Sequence, residues 1–351
     1  MKILHTADIH IRNYKDERWN TLQQIVELCK SQNVDVLTIS GDLFDSNADA
    51  NKSRTKIREL FSETAFSVFI IPGNHDVDSY PEGTFLGDGV AIIRDYLNPV
   101  EVDNVFFWGF PYQDLKEEEV MRRLYDMSSL ATNEGTHILL FHGELLDTTG
   151  AWENYGSEGQ RRYVPVKLDF FRYLNWKYIL AGHYHTNFDI HEFKENRFFV
   201  YPGSPVSITK KELGPRKVNL FEIDDKPAPH VLSSPYYEAV EINLDPFGKS
   251  PSDNFLEEEI EKLPNNAKIL LTVNGFFDGK KLGKTEQDLQ KEIKEAAGKR
   301  TETLQLEFRD IHDILEDDLF KLFDSKLKKS KIDNLEKDKI RNITIKVMME
   351  L

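Results

Sequence analysis

Five of the ten histidines in this chain stand where short apolar runs stop. MKILHTA leads into Asp8-Ile9-His10, and VDVLTIS into Gly41-Asp42. SVFIIP leads into Gly73-Asn74-His75-Asp76, HILLF into His142-Gly143-Glu144, and YILA into Gly182-His183-Tyr184-His185. Imidazole, carboxylate and amide groups together, with no cysteine among them, are a donor set for manganese, iron or zinc rather than for calcium or a structural zinc site. One such histidine alone is more often structural than metal-ligating. Five polar clusters, each at the end of an apolar run, would need five separate structural explanations. The donors exceed what one ion takes, so two neighbouring ions are the natural reading, and such a pair is suited to in-line displacement at phosphorus.

The elements that must position these residues follow from the hydrophobic pattern. Apolar runs at 2–4, 34–39, 67–71, 105–109, 137–141, 178–181 and 197–201 read as strands, with 217–223 as a last one. Amphipathic stretches at 17–31, 52–63, 90–97, 117–130 and 168–174 read as helices between them. This alternation implies an α/β domain, in which ligand sites gather at the carboxyl ends of the strands. Asp8 and His10, like His183 and His185, are spaced by two, and in extended backbone that spacing sends both side chains to one face. Glycines at 41, 73, 143 and 182 allow tight turns along the same rim.

Residues 1–223 therefore form one domain and the proline-bearing stretch 224–235 a linker. Residues 236–310, with strands at 237–244, 268–273 and 303–308 and a helix at 285–297, form a small α+β domain. Residues 311–351 read as two helices. The 351 residues carry 40% hydrophobic and 30% charged side chains, an ordinary globular balance. No apolar run reaches the ~20 residues of a membrane span, and the first residues lack a signal-peptide pattern, so a cytoplasmic location is expected. The lone Cys29 sits in a helical pattern as a small buried hydrophobe. A net charge of −15 argues against a simple nucleic-acid binder but not against an enzyme that meets phosphates through cations.

The ordered motifs D-x-H, GD, GNHD, H and GHxH resemble the calcineurin-like metallophosphoesterase superfamily over residues 1–223. Within it, TADIH, SGDLFD, PGNHD, AGHYHTN and VYPGSPVSI resemble the SbcD-type double-strand-break repair nucleases. That resemblance implies a four-layer α/β/β/α sandwich, with 236–310 as a DNA-capping domain and 311–351 as a C-terminal helical segment. It implies that Asp8, His10 and His185 hold one metal, that Asn74, His142 and His183 hold the second, and that Asp42 bridges them. His75 would act on the scissile phosphate and leaving oxygen, and Asp76 would orient a nearby histidine. The metals would be two divalent ions, manganese foremost, with iron, zinc or magnesium as alternatives.

The implied activity is DNA phosphodiester hydrolysis, as 3'-5' exonuclease and single-strand endonuclease. The implied partners are DNA, an SMC-like coiled-coil ATPase docking near Leu319, Phe320, Leu322 and Phe323, and a second copy of the chain through helices 52–63 and 90–97. Ile57, Leu60, Phe61, Ile92 and Ile93 on those helices are expected mainly inside the monomer. Ser204 at the rim, with Lys210, Lys211 and Arg216 beside it, are candidate substrate contacts. Many relatives place a histidine after GDLF where this chain has Asp45, which bears on how a DNA end is steered. A small-molecule phosphodiesterase or phosphatase of the same superfamily, and a non-catalytic scaffold, are the competing readings.

Overall fold

Stretches such as VLTIS and SVFII are apolar on both strand faces, so only a sheet covered on both sides can use them. In the computed structural model, which describes residues 1–132, 134–147, 164–247 and 255–350, they lie side by side in such a sheet. The first unit, Met1–Tyr237, runs β1 (Lys2–Thr6), α1 (Glu17–Ser31), β2 (Val36–Ser40), α2 (Asn47–Ser62), β3 (Ser67–Ile71), β4 (Val90–Ile92), β5 (Val100–Val102) and β6 (Val105–Phe110). It continues through α3 (Glu117–Leu130), β7 (Thr136–His142), α4 (Leu168–Phe171), β8 (Tyr178–Gly182), β9 (Asp189–Lys194), β10 (Arg197–Tyr201), β11 (Lys217–Glu222) and β12 (Pro229–Val231). Two six-stranded sheets result, ordered β12-β11-β1-β2-β3-β4 and β5-β6-β7-β8-β10-β9.

Three apolar layers hold them. Ile3, Val36, Phe69 and Ile71 of the first sheet meet Phe107, Ile138, Leu140 and Leu180 of the second. On the outer side of the first sheet, Leu22, Ile25, Val26, Ile57 and Phe61 of α1 and α2 pack over Leu4, Leu37 and Ile70. On the outer side of the second, Val120, Leu124 and Met127 of α3 pack over Leu139 and Ile179. This is the expected α/β/β/α sandwich. Because β1, β2 and β3 run parallel to one another in the first sheet, and β7 and β8 in the second, their carboxyl ends share an edge. Ser40 Oγ of β2 donates to Leu180 O of β8 at 2.7 Å and ties the two sheets together at that edge.

Several expectations need correction. The stretch 90–97 is not a helix: its first three residues form edge strand β4, paired with β3. As expected, by contrast, Ile57, Phe61 and Ile93 are buried in this chain's own core, and Leu60 and Ile92 pack against it. The stretch 224–235 carries β12, which pairs with β11, so part of it is sheet edge rather than bare linker.

The second unit, Glu238–Leu351, contains nearly all of β13 (Tyr236–Leu244) and then α5 (Phe255–Glu261), β14 (Ala267–Phe277), α6 (Gly279–Leu282), α7 (Glu286–Ala297) and β15 (Thr301–Asp310). Its sheet is ordered β13-β14-β15, and Ile269, Leu271 and Val273 pack against Leu289 and Ile293 of α7. Among the described residues the tail holds three helices rather than two: α8 (His312–Glu316), α9 (Asp318–Lys329) and α10 (Asn334–Met349). Asp317 caps α9, and Arg341 of α10 donates to Asp324 of α9 at 2.9 Å. Phe320 is buried while Leu319 and Leu322 are exposed. Among the described residues, no helix is long and apolar enough to cross a membrane.

Candidate metal centre

Asp8, His10, Asp42 and His183 all lie just past strand ends, with φ of 54°, 53°, 51° and 100°. Non-glycine residues avoid this left-handed region, at a cost of about 1–3 kcal/mol each where it is enforced. The Asp8/His10 and His183/His185 pairs therefore do not converge through strand alternation. Tight turns beyond β1 and β8 aim them instead. Main-chain bonds hold the first turn: Asp8 N donates to Gly41 O at 3.1 Å and His10 N to Asp42 O at 2.9 Å.

The residues that converge are mostly those the sequence singled out. Asp8, His10 and His185 offer donor atoms all within 4.8 Å of one another, as do Asp8, Asp42 and His142. His10 Nε2 and His185 Nε2 are 3.3 Å apart, and Asn74 Oδ1 lies 2.9 Å from His142 Nε2. Asp42 Oδ2 stands between the two groups, 3.7 Å from His10 Nε2 and 3.4 Å from His142 Nε2. It is buried and completes no hydrogen bond. His183 falls outside both clusters. Its main-chain N–H donates to both Asp8 oxygens, and its ring centre is 5.4 Å from that of His142.

Glycine is required where these groups crowd. A Cβ on Gly41, whose φ is +94°, would lie 2.0 Å from His142 Nδ1, and one on Gly182 would lie 2.0 Å from Ser40 O. Those are the atoms that seat His142, because its Nδ1 donates to Ser40 O at 2.8 Å.

The electrostatics show what the cluster lacks. Burial pushes the Asp8 carboxyl up, while the neighbouring histidines pull it down. For Asp42, burial is outweighed by His142, His10 and His75, which hold it well below the usual carboxylate range. Burial opposes charge on His142, yet Asp42 and Asp8 raise it to about 10. The two buried carboxylates thus call for compensating positive charge, and a proton on a neighbouring imidazole is one group that can supply it. Oxygen and imidazole donors around an orphaned carboxylate oxygen fit divalent cations, which would supply that charge without the proton.

The remaining candidates fall in varied places. His75 is half-buried: its main-chain N–H donates to Asp42 Oδ1 at 2.9 Å, and its Nδ1 lies 3.2 Å from Asp45 O. Its ring stands edge-on to His10 at 4.6 Å between centres. Asp76 does not orient a histidine. It accepts from Gly73 N, Phe44 N and the Tyr80 hydroxyl, and so pins the GNHD turn from beneath. Burial and then Asp42 raise its carboxyl to about 6. Ser204 is fully buried, and Arg216 is only 3% exposed. The Arg216 guanidinium donates to the carbonyls of Ser204, Thr186 and His185, so it is not presented to a substrate. Lys210 and Lys211 are exposed.

Two carboxylates at the cluster are not among the site residues read from the sequence: Asp45, noted there only as a departure from relatives, and Glu212, not noted at all. Asp45 Oδ1 lies 3.3 Å from His10 Nδ1 and is gripped by Arg12 and Arg18; arginines flanking the D-x-H turn were the available signal. Glu212, buried among Ser204, Ile208 and Thr209, has Oε1 3.6 Å from His185 Nδ1. In KKELGPR it reads as one charge in a solvated run, and nothing local marks it.

The SbcD component of nuclease SbcCD from Staphylococcus saprophyticus is 25% identical over 288 residues, covering 70% of this chain and 75% of that protein. DNA double-strand break repair protein Mre11 of Sulfurisphaera tokodaii is 25% identical over 285 residues, covering 75% of this chain and 68% of that protein. Among solved structures, GAP50, the anchor in the inner membrane complex of Plasmodium, superposes with a TM-score of 0.42 at 13% identity, over 67% of this chain and 84% of that one. The family model described as calcineurin-like phosphoesterase matches residues 1–196, a stretch that contains every one of the converging histidines, and the chain belongs to that family.

Proposed function

We propose that the Met1–Tyr237 unit is a two-metal nuclease that hydrolyses DNA phosphodiester bonds in the processing of double-strand breaks. The observation that carries the hydrolytic part is Asp42 Oδ2, buried without a hydrogen bond between the imidazoles of two donor clusters. In this reading Asp8, His10 and His185 would hold one ion, Asn74, His142 and His183 would hold the other, and Asp42 would serve both. Manganese is the ion proposed, with iron, zinc or magnesium as alternatives. When bound, the pair supplies Lewis acidity at the phosphoryl oxygens and lowers the pKa of water.

The chain's own groups do the rest. A carbonyl can only accept, so the contact with Asp45 O places a proton on His75 Nδ1 and fixes the ring. In the imidazolium form Nε2 carries the second proton and passes it to the leaving sugar oxygen. The His75 main-chain bond to Asp42 ties that ring to the bridging carboxylate. Lys210 and Lys211, exposed on the segment after YPGSP, are the proposed phosphate contacts, and they offset part of the −15 charge that repels DNA. DNA as substrate is supported by the two relatives, a nuclease component and a break-repair protein, each matched over more than two thirds of its length. The same likeness, with the exposed Leu319 and Leu322 of α9, supports an SMC-like ATPase as partner.

The test is end-labelled linear DNA incubated with manganese. Wild type should shorten it, EDTA should stop the reaction, and His75→Ala should slow it by about 10²–10⁴. Intact DNA together with cleavage of a small chromogenic diester would leave a general phosphodiesterase and remove the nuclease. Equal DNA loss with His75→Ala would remove His75 from the chemistry.

A further inference from the structure

His10 and His185 share an arrangement that His142 lacks. Behind each ring, on its Nδ1 side, stands a carboxylate: Asp45 Oδ1 at 3.3 Å from His10 and Glu212 Oε1 at 3.6 Å from His185. In front, the two Nε2 atoms face each other at 3.3 Å. His142 instead rests Nδ1 on a neutral carbonyl, Ser40 O.

Both carboxylates are anchored. Arg12 Nε donates to Asp45 Oδ2 at 2.8 Å, and Arg18 Nη1 to Asp45 Oδ1 at 3.1 Å. Glu212 accepts from Ile208 N at 2.6 Å, Thr209 N at 3.2 Å, Thr209 Oγ1 at 3.1 Å and Ser204 Oγ at 3.1 Å. On each side an arginine also reaches the main chain of the histidine itself: Arg18 donates to His10 O at 2.6 Å, and Arg216 to His185 O. Each histidine thus has a carboxylate behind its ring and an arginine on its backbone carbonyl.

We propose that Asp45 and Glu212 are a matched pair of positioning residues that keep the protons of His10 and His185 on Nδ1, so that both Nε2 atoms are presented to one cation. This rests on the metal centre proposed above. A carboxylate behind a ligating imidazole fixes its tautomer and raises its basicity more than a carbonyl does. The present separations exceed those of formed charge-assisted hydrogen bonds, His10 Nδ1 completing none, and the proposal requires both to shorten when Nε2 is engaged. His10, Asp45 and His75 also bring donor atoms within 4.8 Å of one another. That grouping is not a third cation site, because guanidinium groups already occupy both Asp45 oxygens.

Two measurements test the pair, with Asp45→Ala, Asp45→Asn and Glu212→Gln. Ring ¹⁵N shifts of the zinc-loaded protein, in which a diamagnetic cation stands between the two Nε2 atoms, should place the protons of His10 and His185 on Nδ1 in the wild type. In Asp45→Ala the His10 signal should move toward a mixture, and Asp45→Asn, which keeps an acceptor oxygen, should restore part of it. Manganese counted by EPR during titration should then show one of two ions bound about 10–100-fold more weakly in Asp45→Ala and Glu212→Gln, with the other unchanged. Protons on Nε2 in the wild type, or variants that bind both ions like the wild type, overturn the proposal. A wild-type protein that binds no divalent ion overturns the metal-centre reading, and this proposal with it.

Discussion

Replacing Arg216 with methionine separates a buried brace from a DNA contact. The guanidinium donates to Ser204 O at 2.9 Å, Thr186 O at 2.9 Å, His185 O, and Ser204 Oγ at 3.3 Å. Methionine fills similar space without donors. His185 O keeps the Ser204 N–H at 3.0 Å, and half-buried Thr186 is within reach of water, so those losses are modest. Ser204 O is stranded in a fully buried residue, at about 1–3 kcal/mol. Glu212 also loses the nearby positive charge that helps hold its carboxyl low. Together these give a loss of about 3–5 kcal/mol, the range seen when a buried charge pair is broken. For a unit of this size that is a fall in Tm of about 10 °C, read by thermal unfolding followed by circular dichroism. Arg216→Lys should recover little, since one ammonium cannot span three carbonyls. If Arg216→Met left Tm unchanged and instead weakened DNA binding with a shallower salt dependence, the brace argument would fail.

Two further outcomes follow from the same structure. Gly41→Ala should cost about 2–4 kcal/mol, from left-handed strain plus a Cβ driven into the His142 ring; an unchanged urea midpoint would contradict this. His5 is fully buried between the sheets, and burial, partly offset by the Ala181 backbone, lowers its pKa to about 3. A depressed folded-state pKa gives stability that is present above the unfolded value near 6.5 and lost as pH falls toward 3, by up to about 5 kcal/mol. His5→Leu removes that term, so its stability relative to wild type should rise steadily from pH 7 to pH 4. Parallel pH curves for the two proteins would refute it.

Much of the first unit is legible in the sequence because its strands are short, apolar and bounded by the polar residues that mark the site. The donors themselves can be picked out from the sequence, since chemistry restricts them to a few residue types. Their aim cannot be read. Spacing by two in Asp8-Ile9-His10 gives the right grouping for the wrong reason, because both residues have left the strand and turned left-handed. β4 reads as a helix because Val90, Ile92 and Ile93 do not separate a period of two from one of 3.6 over so short a span. Asp76, Glu212 and Arg216 escape a correct sequence reading for a shared reason. Each is a charged residue in a polar stretch, and only the folding of distant segments over it makes it an internal strut.

The left-handed turns at Asp8, His10, Asp42 and His183 have a consequence for how the chain would acquire its ions. Main-chain bonds pin the Asp8 and His10 turn to the end of β2, and the Asp8 carboxylate accepts from His183 N–H, so much of the cradle is moulded by the chain's own hydrogen bonds during folding. A preorganised cradle of this kind should release its ions to a chelator and take them back without passing through an unfolded chain, unlike small zinc domains whose fold is the metal's doing. The chain would then behave as a reusable receptacle, its readiness set by the supply of ions around it rather than by a fresh round of folding.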